Sequence, residues 1–188
     1  MKKVIWAICV AGLVSGNAFS SGQSAELDRA KQATAAYAGA LKTELLTSMK
    51  SDGPLQAMDV CNTRAKAIGN EVSIEYGALL SRVSTRNRSP DNIPNDWQSI
   101  VLESFEDRKQ AGETFDTLSW YETVETDSVR EFRFMKAIPT GGLCLQCHGK
   151  DIIPAVSEKL AELYPEDKAT GFGLGDIRGA FVVTLPLD

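Results

Sequence analysis

From Glu26 to Lys50 the apolar residues Leu27, Ala30, Tyr37, Leu41, Leu45 and Met49 recur near helical spacing, with alanines between them. This pattern predicts one long amphipathic helix. Asp52-Gly53-Pro54 interrupts it, with Asp52 as an N-cap and Pro54 in the first turn of a new helix. The stripe of that helix runs Leu55, Met58, Cys61, Ala65, Ile68, Val72, which predicts Met58 and Cys61 on one buried face. Leu79 to Arg88 then alternates. Leu79, Ser81, Val83 and Thr85 fall on one side and Arg82, Ser84, Arg86 and Arg88 on the other, as in a strand. A Pro/Asn-rich loop spans Asn87 to Pro94. Asn95 and Gln98 have capping-box spacing and open a helix through Trp97, Val101 and Phe105, which Gly112 stops.

The second half reads as mostly strand. Leu118 to Glu125 and Val129 to Ile138 are rich in β-branched and aromatic residues, and Thr126-Asp127 between them predicts a hairpin. A loop marked by Gly141, Gly142 and Gly149 follows, then a short helix from about Pro154 to Leu163. The run Gly171-Phe172-Gly173-Leu174-Gly175 precedes a strand, not a helix, and lacks a phosphate-binding lysine, so it reads as a turn. The apolar stretch Ala180 to Val183 has the character of a central strand. The order of elements predicts a single α+β domain around an antiparallel sheet.

Composition adds an address. The chain has 188 residues, 43% of them hydrophobic, enough for one domain with a proper core. Lys2 and Lys3 precede an uncharged, mostly apolar run from Val4 to Val14, followed by small residues with cleavage points after Ala18 or Ser20. Residues 1–20 therefore read as a signal peptide and 21–188 as the mature domain, exported to the periplasm, with no membrane insertion after cleavage. Loss of the two lysines leaves 18 basic against 25 acidic residues, a net charge of −7. Such a domain has no electrostatic footprint for nucleic acid.

Candidate chemistry lies in the loop after the hairpin. Cys144-Leu145-Gln146-Cys147-His148 has the C-x-x-C-H pattern that attaches a c-type haem: two thiols for the two vinyl groups and an imidazole for the iron. Zinc would need four ligands, and there is no second C-x-x-C or histidine pair. A thioredoxin-like motif belongs beside a βαβ unit, which this order does not suggest. His148 is the only histidine, so the opposite face of the iron falls to Cys61, to Met49, Met58 or Met135, to a lysine, or stays open. Cys61 is left without a disulfide partner once Cys144 and Cys147 hold haem, and a thiolate binds ferric iron well. Its plain alternative is a core cysteine in an apolar stripe. Arg82 and Arg86 suit haem propionates, although a solvated strand edge is the more common explanation of such residues.

Several separated motifs carry a wider resemblance. They are Met58-Asp59-Val60-Cys61, Arg82-Val83-Ser84, Arg86 to Asn92 with Pro94 and Trp97, Cys144 to Gly149, and Gly175-Asp176-Ile177-Arg178-Gly179. In these the chain resembles a family of secreted monohaem c-type proteins with a PAS-like fold, found alone or as sensor domains of histidine kinases and chemoreceptors. Ser89 stands before Pro90 where that family often has Asn, a departure that does not touch the haem chemistry. The resemblance implies a PAS-like antiparallel sheet with added N-terminal helices, and one covalent haem c with His148 as proximal and Cys61 as distal ligand. The function it implies is electron transfer or redox sensing with a separate redox or signalling protein partner. A sensor of NO or CO, with a distal ligand that dissociates, is the alternative. A peroxidase-type enzyme is not expected, because no distal histidine is available.

Overall fold

The computed structural model describes residues 18–188. The leader reading, residues 1–20, falls almost wholly outside them. Helix α1 (Ala18–Ser51) is the long helix the pattern predicts. Its alanines let it lie close to the sheet: Ala30 and Ala33 are fully buried against Phe132, Phe134, Val183 and Leu185. Among the described residues no helix is long and apolar enough to cross a membrane.

Four antiparallel strands form the sheet: β1 (Leu79–Val83), β2 (Ser119–Glu125), β3 (Arg130–Pro139) and β4 (Ile177–Pro186), in the order β1-β4-β3-β2. The expected hairpin is β2–β3, closed by a hydrogen bond from Thr126 N to Val129 O. The expected central strand is β4, paired on both sides. Alternation then divides the side chains. Phe132, Phe134, Val183 and Leu185 face α1, while Met135, Ala137, Ala180 and Val182 pack with Val101, Leu102 and Phe105 of α4 (Asp96–Gln110). The capping box of α4 is present, with Gln98 N donating to Asn95 Oδ1 and Asn95 N to Gln98 Oε1. This is the α+β architecture expected, an antiparallel PAS-like sheet with helices added at the N-terminal side.

Two local expectations in the first half of the chain fail, and both failures concern the site. The stripe from Leu55 to Val72 is not one helix. It is α2 (Gly53–Asp59) and α3 (Ala65–Tyr76) joined by a π turn, Val60–Arg64, in which Ala65 N donates to Val60 O. The wider turn takes one extra residue and breaks the 3.6 period. Met58 stays buried, whereas Cys61 is exposed, so the two do not share a buried face. The strand reading of Leu79 to Arg88 also overshoots. Strand β1 ends at Val83, because the Ser84 hydroxyl accepts a hydrogen bond from Arg86 N and Ser84 N turns to Asn92 O. Arg82 is on the strand; Arg86 and Arg88 are in the loop beyond it and do not continue its face.

Candidate functional site

The C-x-x-C-H segment is helical where a loop was expected. A 3-10 turn (Gly142–Cys144) runs into the single turn α5 (Leu145–His148). Gly149 ends it, and a Cβ there would lie 2.5 Å from Leu145 O, so a side chain cannot be placed without moving the turn. Three contacts from distant chain hold the turn in place. Gly171 N donates to Gly149 O (2.7 Å), Phe172 N to His148 O (2.9 Å) and Arg88 Nη2 to Cys147 O (2.6 Å). The glycine-rich run read as a plain turn is thus the clamp on the motif.

His148 is oriented by its backbone partner. Its Nδ1 lies 2.7 Å from Ala169 O, and a carbonyl can only accept, so Nδ1 carries the proton. Nε2 is left with a free lone pair, the form in which imidazole binds a metal. Burial, with Arg178 and Arg88 nearby, pushes the pKa of His148 down to about 2, so the ring stays neutral. Phe172 meets the imidazole edge-on, centroids 6.2 Å apart. That phenyl ring is itself held by Arg86, whose guanidinium stacks 3.8 Å from its centroid and donates to Thr170 O.

Cys61 faces the same place. Its surface is open to water, yet the protein packed around it pushes the thiol pKa up, with Arg82, Arg88 and Arg178 pulling the other way. Cys61 thus reaches solvent from a position crowded by protein and by three guanidinium groups. Burial likewise raises the Cys147 thiol, opposed by Arg88 and reinforced by Cys61 and Cys144, so the three thiols are electrostatic neighbours. Tyr164 joins them: burial, then Cys61, raises its phenol to about 12. Met58 packs with Tyr164, Val156 and Leu160, and Cys147 lies against this cluster. Met135, by contrast, is sealed in the core beneath α4, and Met49 is half-buried on α1.

The arginines are distributed unevenly. Arg88 is buried and pairs with Asp167 (3.0 Å). Arg82 lies over the Tyr37 ring, 5.8 Å from its centroid. Arg178, at the head of β4, is the residue that pattern reading passed over. Its Nη1 sits 3.3 Å from Ser84 Oγ and Arg86 O, and its Nε is buried without a hydrogen-bond partner. Burial, then Arg88 and Arg82, lowers its pKa to about 10. A lone arginine opening an otherwise apolar central strand was the available signal. Gly179 beside it has φ +151°, and a Cβ there would strike Val83 O, so only glycine lets β1 approach closely at this point.

The donor set fits a haem. Two neighbouring thiols, an imidazole with a free Nε2, a third thiol on the same wall and an orphaned buried guanidinium nitrogen are all features that such a group would use. No three His, Cys, Asp or Glu side chains among the described residues are gathered closely enough to hold a bare metal ion. Concavities of about 210 and 260 Å³ lie between the 84–86 loop and α4, lined by Glu106 and by Arg86 with Asp176, and include neither Cys61 nor His148.

No curated protein matches the sequence. Among solved structures, the fold matches the crystal structure of the cyanobacterial heme-protein Tll0287 with a TM-score of 0.60 at 20% identity. The match covers 91% of this chain and 98% of that one. The model of the Tll0287-like family matches residues 20–186, nearly all of the described chain, and the protein belongs to that family.

Proposed function

We propose that this protein is a periplasmic monohaem c-type protein serving electron transfer or redox sensing. Cys144 and Cys147 would form the thioethers, and His148 Nε2 and the Cys61 thiolate would hold the iron. A haem held there supplies a one-electron ferric–ferrous couple. The observation that carries the reading is convergence: Cys61 and His148, eighty-seven positions apart, are set against the same three guanidinium groups, with His148 held in its metal-binding tautomer. The family match and the printed description of its solved relative as a heme-protein support it. With both residues holding the iron, no position would be free for a substrate, which suits electron exchange better than turnover. His148 is the only histidine, so general acid–base work by a second imidazole is not available.

One observation favours a second reading, reversible binding of NO or CO on release of Cys61. Cys61 rides on a π turn, a helical irregularity often found at functional sites, and its surface is open.

Intact mass and absorption spectra of the exported protein test both. The first reading expects one covalent haem and a low-spin ferric spectrum with thiolate character that Cys61→Ala abolishes. A haem-loaded protein whose spectrum ignores Cys61→Ala would remove Cys61 from the ligand set. Rapid CO binding by ferrous wild type would favour the second reading, and mature chain without added haem mass would refute both.

A further inference from the structure

Charge around the site does not balance. Arg82, Arg88 and Arg178 are close enough to act on one another and on Cys61 and His148. Among the described residues only Asp167 is ion-paired with any of the three, through Arg88, and both partners are about nine-tenths buried. Arg88 spends its other bonds on Cys147 O and Ala169 O. It is a structural guanidinium, tying the motif to the 167–169 turn.

The other two are differently placed. Arg82 has the face of Tyr37 and no ion pair among the described residues. Arg178 lies farther from the Phe172 centroid than Arg86 does, at 5.2 Å, and has two long contacts through Nη1 and a buried Nε with nothing to donate to. A buried donor without an acceptor costs roughly 1–3 kcal/mol, and more when charged, so such a group in a native fold calls for an acceptor. Three guanidinium groups against one carboxylate leave two positive charges unmatched in one place. A ligand bringing two anionic oxygen groups to that place would match them, and arginine is the side chain best suited to carboxylates in a partly buried setting.

Resting on the haem reading above, we propose that Arg178 and Arg82 are the carboxylate-binding residues for the two haem propionates. Arg86, which shares the loop and has the same chemistry, has another task. It is committed to Thr170 O and the face of Phe172, and so supports the ring that lies against His148.

The mature haem-loaded protein provides the test, with Arg178→Gln, Arg178→Lys, Arg82→Gln and Arg86→Gln. The readouts are intact mass, the midpoint potential and the propionate-bending band in resonance Raman spectra. Arg178→Gln and Arg82→Gln should keep the haem mass and shift the band. Each should also favour ferric iron on the order of tenfold at fixed ambient potential, because a positive charge in a partly buried setting is lost. Arg178→Lys should preserve the potential and still move the band, since charge is kept and the planar fork is not. Arg86→Gln should move the band less than Arg178→Gln.

Haem-loaded Arg178→Gln and Arg82→Gln with unchanged band and potential would overturn the assignment while leaving the haem reading intact. So would a larger band shift in Arg86→Gln than in Arg178→Gln. Wild type lacking the haem mass would instead sink the haem reading itself. Should Arg178→Gln fail to accumulate, Arg178→Lys and Arg82→Gln decide the matter by the same criteria.

Discussion

The middle and one end of the sheet solve opposite problems. Beneath α4, Phe105, Leu118, Met135, Ala137 and Val182 close into an apolar cluster in which nothing polar needs an answer. At the end of the sheet where β4 begins and β1 stops, three arginines, three thiols and one imidazole meet, and polar groups are left open. The first region behaves as the hydrophobic effect demands: removal of apolar surface from water is the whole of its purpose. The second concentrates desolvated positive charge, which does nothing for a protein folding alone. Regions that violate local rules of packing and charge pairing are where a fold of this kind keeps its chemistry. Stability and function are therefore housed in different parts of the same sheet, and they should separate under mutation.

Phe105→Ala should have the largest effect on stability. Phe105 is fully buried, and its truncation should cost about 4 kcal/mol through lost burial and a residual cavity. Chemical denaturation should show the loss, while the haem spectrum of the folded fraction stays as in wild type. A spectral change before unfolding would mean that the two regions are coupled through the sheet.

Asp167→Ala comes next, at about 3 kcal/mol. It strips the carboxylate from Arg88 and leaves a buried guanidinium unpaired. Arg88 also holds Cys147 O, so here stability and spectrum should change together, the reverse of Phe105→Ala. A spectrum unchanged at equal stability loss would show that the pair only supports the turn. Asn95→Ala, which removes one half of the α4 capping box, should cost about 1 kcal/mol by the same denaturation measurement and leave haem properties untouched.

The elements most legible in the sequence are those decided locally. The capping box at Asn95 and Gln98, the hairpin between Glu125 and Arg130, and the helix Pro154–Leu163 occur where the pattern puts them, since each depends on residues within a few positions. Cys61 shows why legibility ends. Helical spacing assigned it to the stripe of Met58, but one widened turn moves it to an open wall. No short-range pattern distinguishes an α turn from a π turn when both are stabilised by packing against other elements. Arg86 and Arg88 show the same limit: two-residue alternation continues through Ser84, whereas the chain turns there because Ser84 finds partners within its own loop. Arg178 lies in one of the runs that carry the resemblance, yet nothing local gives it a role, because its meaning depends on Arg82, nearly a hundred residues earlier.

What the sequence determined unaided was therefore the set of parts. An antiparallel α+β domain follows from periodicity, and a C-x-x-C-H run with a solitary histidine and a leftover thiol follows from counting, both being properties of neighbours along the chain. Which parts meet was decided only by the tertiary structure. Sheet pairing of β1 with β4, the π turn before α3 and the clamp by Gly171 and Phe172 bring Cys61, His148 and the arginines to one wall. The physical reason is that charge coupling and desolvation depend on distance in space, and spacing along the chain does not encode it.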